Sequence, residues 1–176
     1  MLYPSFSNLY ARWYEEELRE SWEEKNSLLN SNRDTAAVAS TIQEFQGMIL
    51  KIPAIGLYTA VQKGTSPDVL KKTPGWFEES ALPGQGNTAI AAHLNMYGSW
   101  FRFLDNLSPG EPIYLQHGGY EYIYIVEEKF SVDSTDLSIT QDCGYPALTL
   151  TTCIAENKSR RLVVRARRSD IVPMSF

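Results

Sequence analysis

Positive charge is scarce in this 176-residue chain: 16 lysines and arginines face 21 aspartates and glutamates, for a net charge of −5. A nucleic-acid-binding domain normally shows a basic face, so this balance argues against that class. The one basic concentration is Arg160-Arg161 with Arg165, Arg167 and Arg168. Cysteine is equally sparse. Cys143 and Cys153 make no disulfide framework, and no CxxC or Cys/His metal-ligand spacing occurs. With only His93 and His117 present, imidazole chemistry has two candidates. No stretch reads as a signal peptide, and no apolar run is long enough to span a bilayer. The abrupt start, Met1-Leu2-Tyr3-Pro4, reads as if a segment upstream had been trimmed.

What the chain does have is hydrophobic content of 43%, enough at this length for one domain with a real core and no metal or disulfide staple. Ser7 to about Leu29 predicts a helix. Leu9, Tyr10, Trp13, Tyr14, Leu18 and Trp22 recur at spacings of three and four, a stripe expected to pack on the rest of the domain. Glu15, Glu16, Glu20, Glu23 and Glu24 form the opposite, solvated face. Residues 1–46 thus read as a helix and linker packed on a domain of residues 47–176. From Gly47 the pattern turns to β: runs at 48–53, 55–61, 88–92 and 112–132, the last broken by His117-Gly118-Gly119, a hairpin signal. Ser66-Pro67 opens a short helix. Trp100 to Leu107 predicts a second one, and Ser169 to Phe176 carries no signal. Many short strands with turns between them predict a mainly β fold, a closed barrel with small helices.

The chemistry centres on Ala147-Leu148-Thr149-Leu150-Thr151-Thr152-Cys153. This is a strand with one apolar face, ending on a thiol. Arg160-Arg161 opens the next run, Leu162 to Ala166, and His93 closes the small-residue run Thr88 to Ala92. A lone cysteine is most often a small buried hydrophobe, and a lone histidine is most often structural. Together, Cys153, His93 and an arginine make a chemically complete acyl-transfer set: nucleophile, proton shuttle and guanidinium for developing negative charge. Thr152 adds a backbone N–H and a hydroxyl beside the thiol. His117 reads as a solvated turn residue and Cys143 as a free thiol in a loop.

In order, Ala91-Ala92-His93, Leu150-Thr151-Thr152-Cys153 and Arg161-Leu162-Val163-Val164 resemble the signature of the sortases, cysteine transpeptidases of Gram-positive bacteria. Leu82-Pro83-Gly84, Gly86 to Ile90, and Phe101 to Leu107 before Pro109-Gly110 support the likeness. Ala92 departs from the family's usual glycine. Gly64 to Leu70 and Leu2-Tyr3-Pro4 resemble the pilin-polymerising class C branch. The absence of an acidic-Pro-aromatic lid motif, with the Leu-Pro-Gly and Asn-Thr-Ala-Ile pattern, resembles class D.

The resemblance implies a closed barrel of about eight strands. It also implies cleavage of a C-terminal Leu-Pro-x-Thr-Gly sorting signal between Thr and Gly through a thioester on Cys153. His93 would act as acid and base, and Arg161 would meet the oxyanion, with Arg160 as runner-up. Ala91, Ala92, Thr151 and Thr152 are the substrate-binding candidates. No cofactor or metal is expected. The implied partners are surface proteins or pilins bearing the signal, and an amine from a peptidoglycan cross-bridge or a pilin lysine. The implied location is the outer face of the cell membrane, held by an anchor outside this sequence. Two alternatives are a non-catalytic surface β-domain with Cys153 in its core, and another thiol acyl-transferase such as an L,D-transpeptidase. The latter's Ser-His-Gly-Cys signature is missing here.

Overall fold

In the computed structural model, which describes residues 3–31 and 47–174, eight strands close into a barrel. They are β1 (Met48–Ile52), β2 (Leu57–Lys63), β3 (Gly75–Trp76), β4 (Asn87–Ala91), β5 (Pro112–His117), β6 (Tyr120–Asp133), β7 (Ala147–Ile154) and β8 (Asn157–Pro173), ordered around the barrel β1-β2-β3-β4-β7-β8-β6-β5. The helices are α1 (Tyr3–Ser31) and the single turn α2 (Pro67–Leu70). Ser66 caps α2 by accepting from the Val69 N–H. The predicted linker falls on residues outside those described.

Period-two alternation sets the core. Leu50 and Ile52 of β1, Ile90 of β4, Leu148 and Leu150 of β7, and Val164 and Ala166 of β8 point inward and are fully buried. Each large aliphatic side chain so buried contributes about 1.5–3 kcal/mol. The β5–β6 hairpin turns on Gly118 and Gly119, at φ +59° and +81°, the left-handed pair that such a two-residue loop requires. At Gly75 the reason is space, since a Cβ there would lie 2.2 Å from the Gly64 carbonyl oxygen.

Several expectations need correction. The predicted stripe of α1 packs only in part: Leu18 lies against the barrel, but Leu9, Tyr10 and Trp13 are 67%, 53% and 59% exposed. The seam is instead Ala11, Glu15 and Leu18, at i, i+4 and i+7, where the small Ala11 is fully buried. Glu15, expected in solvent, is 6% exposed and accepts a hydrogen bond of 3.1 Å from the Ala60 N–H. The reason lies in β3, which is so short that it pairs with β2 only at Gln62 and Lys63. The N–H of Ala60 on that open edge therefore needs another acceptor.

Residues 100–107 form turns and one 3₁₀ turn, Leu104–Asn106, rather than an α-helix. Their buried residues, Phe101, Leu104 and Leu107, repeat every third position, which suits three residues per turn. The C-terminal residues extend β8 to Pro173, paired with β6 from Tyr120 onward. His117 is half-buried at the end of β5, with Nδ1 3.1 Å from the Gly47 carbonyl oxygen.

Burial raises the Glu15 carboxyl above its ordinary value, outweighing the hydrogen bond from Ala60 and the charge of Arg19. A raised carboxyl holds its proton more tightly in the folded state. Its contribution is therefore complete below about pH 4 and is lost as pH rises through the folded value. Glu15→Gln keeps an acceptor for Ala60 and removes the charge. Its denaturation midpoint relative to the parent should rise between pH 4 and pH 7, and a difference that does not change with pH would contradict the assignment.

Candidate functional site

Two adjacent strands carry Cys153 and Arg161, and His93 lies just past the end of a third. β7 pairs parallel with β4 (Ala89↔Thr149, Ala91↔Thr151) and antiparallel with β8 (Thr151↔Val163, Cys153↔Arg161). His93 follows two residues past the Ala91↔Thr151 pair, near enough to Arg161 for that positive charge to act on its imidazole. Even-numbered Leu148 and Leu150 fill the core, so Cys153 and its partner Arg161 fall on the outer face at one rim of the barrel. Neighbouring strands lie about 4.8 Å apart, so Arg161 stands next to Cys153 in the same cross-strand row. Cys153 is exposed and is not core.

Arg161 and Arg160 separate cleanly. The Arg161 side chain shares the row of Cys153, and its Nε donates to the Ser134 carbonyl oxygen at 3.1 Å, fixing it against the β6–β7 connection. Arg160 points to the other face, where its Nη2 donates to both the carbonyl and the hydroxyl oxygen of Ser131, each at 2.7 Å.

The four substrate-binding candidates are all buried. Ala91 and Thr151 lie on the outer face, and the Thr151 hydroxyl donates to the Leu162 carbonyl oxygen. Ala92 belongs to the core cluster. The Thr152 hydroxyl, read from sequence as standing beside the thiol, donates instead to the Ala92 carbonyl oxygen at 2.8 Å. It points inward, ties β7 to β4 behind the site, and is not available to a substrate.

His93 is half-buried. Burial is the main cause that lowers its pKa, and the nearby positive charge of Arg161 lowers it further. The imidazole is therefore mostly neutral at pH 7. Of the two histidine signals in an NMR titration, that of His93 should move below the usual 6.5. Arg161→Gln should shift it upward, leaving the burial part, while Arg160→Gln should not move it. Equal shifts in the two variants would refute the pairing of His93 with Arg161.

Sequence reasoning missed several supports. Tyr97 lies beside the imidazole, with ring centroids 5.2 Å apart, and both Tyr97 and Ser99 take positive φ, at 48° and 53°. Such backbone is rare away from glycine and marks a tightly specified loop. Ser134 acts through its carbonyl, which no side-chain pattern could announce. Asn87 is buried; its amide donates to the Ile139 and Gln141 carbonyl oxygens at 2.7 and 2.9 Å, and its oxygen accepts from the Thr149 hydroxyl at 2.7 Å. That network clamps the β6–β7 connection over β4 and β7, which is why the first six residues of β7 and all of β4 are buried on both faces. A cavity of about 450 Å³ opens beside Cys153, lined by Leu94, Arg102, Asp105, Ile154 and Glu156 among others.

A closed eight-stranded barrel with thiol and guanidinium paired across two strands at its rim, and an imidazole just past a third, has the layout of a cysteine acyl-transferase. The sortase domain model matches residues 50–169, and the chain belongs to the sortase family. It is 30% identical over 135 residues to Sortase A of Bacillus anthracis, covering 74% of this chain and 64% of that protein. The chain thus spans less than two-thirds of that relative's length. Among solved structures, it is similar to a Clostridium perfringens sortase D5 transpeptidase, with 26% identity, a TM-score of 0.69, and coverage of 92% of this chain and 99% of that one. It is also similar to sortase C of Streptococcus pneumoniae, with 29% identity, a TM-score of 0.68, and coverage of 78% and 74%. The mainly β barrel expected from sequence is the fold these structures share.

Proposed function

We propose that this protein is a cysteine transpeptidase that cleaves a Leu-Pro-x-Thr-Gly-type sorting signal between Thr and Gly and transfers the acyl group to an amine. The observation that carries this is the pairing of Cys153 with Arg161 across β7 and β8, with His93 close to Arg161 just past β4, within a chain of the sortase family. The Cys153 thiolate attacks the threonine carbonyl carbon. Arg161, held by Ser134, meets the oxyanion together with a backbone N–H near Thr152. The Thr–Gly C–N bond then breaks, and the His93 imidazolium gives its proton to the leaving glycine amine. In the second half an incoming amine attacks the thioester, His93 takes the amine's proton, and Cys153 leaves as thiolate.

The lowered His93 pKa disfavours the imidazolium form that protonates the leaving amine. Ala91 and Thr151 are covered by protein and support the site from within the sheet. Ala92 and Thr152 act from behind it by joining the two strands. The substrates are surface proteins or pilins, and the amine comes from a peptidoglycan cross-bridge or a pilin lysine. The site works on the outer face of the membrane. No helix among the described residues is long and apolar enough to cross a membrane. The branch is of class C or class D type, as the pilin-class and unlidded features suggest.

Incubation with a panel of sorting-signal peptides and amines, followed by mass spectrometry of the products, tests the proposal. The expected product is the peptide truncated after threonine and joined to the amine. Intact peptides throughout the panel would refute it.

A further inference from the structure

Shortly after β4 the backbone does something its sequence does not favour. The Ser99 N–H donates to the Met96 carbonyl oxygen at 3.0 Å, closing a four-residue turn with Tyr97 and Gly98 at its centre. Their φ values are +48° and +89°, the two positive angles of a type I′ turn. Glycine, asparagine and aspartate dominate those positions, because a side chain on left-handed backbone crowds the neighbouring carbonyl. Gly98 obeys that rule, and a Cβ there would also lie 2.4 Å from the Trp100 ring. Tyr97 breaks it. A bulky aromatic residue on left-handed backbone is an outlier that its surroundings must hold in place, and such outliers gather at functional sites.

The surroundings do hold it. The Ala92 N–H donates to the Thr151 carbonyl oxygen at 3.2 Å, and the fully buried Phe101 donates its N–H to the His93 carbonyl oxygen at 3.3 Å. The segment from 93 to 101 is therefore a closed loop whose ends meet at His93. Ser99, at φ +53°, extends the left-handed stretch to three residues. What the loop delivers is the Tyr97 ring, 5.2 Å from the imidazole between centroids and tilted by 48°. Tyr97 is only half-buried and belongs to neither apolar cluster, so filling the interior does not account for it.

The proposed reaction supplies a reason. His93 must keep one orientation while its charge changes, as acid in the first half and base in the second. As imidazolium it is repelled by Arg161, which stands next to Cys153. A ring free to rotate would be driven away from the row that holds the thiol.

We propose that Tyr97 is a positioning residue: its ring, presented by the left-handed turn, lies against the imidazole and limits its rotation, keeping His93 aimed at the reacting atoms. The flat ring does this, rather than the hydroxyl. The inference rests on the transpeptidase proposal and adds a residue to its machinery.

Three variants test it. Tyr97→Phe keeps the ring, Tyr97→Leu keeps bulk without a flat face, and Tyr97→Ala removes both. Cleavage of a sorting-signal peptide gives kcat and KM, and an NMR titration gives the His93 midpoint whether or not the protein turns over. The Leu and Ala variants should each lose kcat by about tenfold or more, with KM changed by under about twofold, because orientation is lost and binding is not. Tyr97→Phe should keep kcat within about twofold of the parent. Only Tyr97→Ala should also raise the His93 midpoint toward 6.5, since it alone admits water beside the imidazole. Parent-like kcat in Tyr97→Leu and Tyr97→Ala, even with a lower melting temperature, would overturn the positioning role. So would a loss in Tyr97→Phe as large as that in Tyr97→Leu, or an unmoved midpoint in Tyr97→Ala. If the parent leaves the peptide intact, the transpeptidase proposal itself fails, and the titration still reports on the contact of Tyr97 with His93.

Discussion

Cys153→Ala should abolish both release of the glycine-side fragment and transfer to an amine, by a factor on the order of 10³ or more, while the barrel still folds. The size follows from covalent catalysis: with no thiol there is no thioester, and what is left is the binding and oxyanion contribution alone. The variant should fold because Cys153 is exposed, at a position where β7 is about to leave the sheet, and its side chain fills no part of the core. An unchanged far-ultraviolet circular dichroism spectrum and melting temperature, with activity gone, is the expected pair of observations. Retained turnover would remove Cys153 as the nucleophile. Loss of folding would place the thiol in a structural role that its exposure does not support.

The two arginines should differ by a large factor although they are neighbours in sequence. Arg161→Ala removes a charged donor from the row of Cys153, and one such donor is worth about 3 kcal/mol, a hundredfold or more in kcat. Arg160→Ala removes hydrogen bonds to Ser131 on an exposed strand end, where a surface change costs about 0.5 kcal/mol in stability and little in rate. Steady-state kinetics on the two variants decides the matter, and the reverse ranking would exchange their roles. Arg161→Lys adds a sharper test. A lysine keeps the charge but has no guanidinium fork, so it cannot both donate through Nε to the Ser134 carbonyl and face the substrate. Most of the activity should still be lost.

The barrel was legible because its strands announce themselves by alternation and by turn chemistry. Gly118-Gly119 marked the hairpin, and Leu148 and Leu150 marked the inner face of β7. The candidate site was legible because the thiol and the arginine sit at the paired ends of β7 and β8 and the imidazole follows just after β4. What sequence could not show was how those ends are held. The Thr152 hydroxyl looked like a site group but faces the interior, because the register that brings Cys153 outward turns its neighbour inward. Ser134 contributes only a backbone oxygen, and Asn87 works through contacts more than fifty residues away in sequence. On α1 the largest apolar side chains gave the wrong face. The barrel there needs a close approach at Ala11 and an acceptor for Ala60, and those local demands outweigh the hydrophobicity of Leu9, Tyr10 and Trp13.

The most direct test of the central claim is the intact mass of the protein after brief exposure to a Leu-Pro-x-Thr-Gly peptide at low amine concentration. The acyl-enzyme should appear as an added mass equal to the peptide up to threonine, localised by fragmentation to Cys153 and released by hydroxylamine. An adduct on Cys143, or no adduct under conditions in which the peptide is cut, would contradict a thioester mechanism at Cys153.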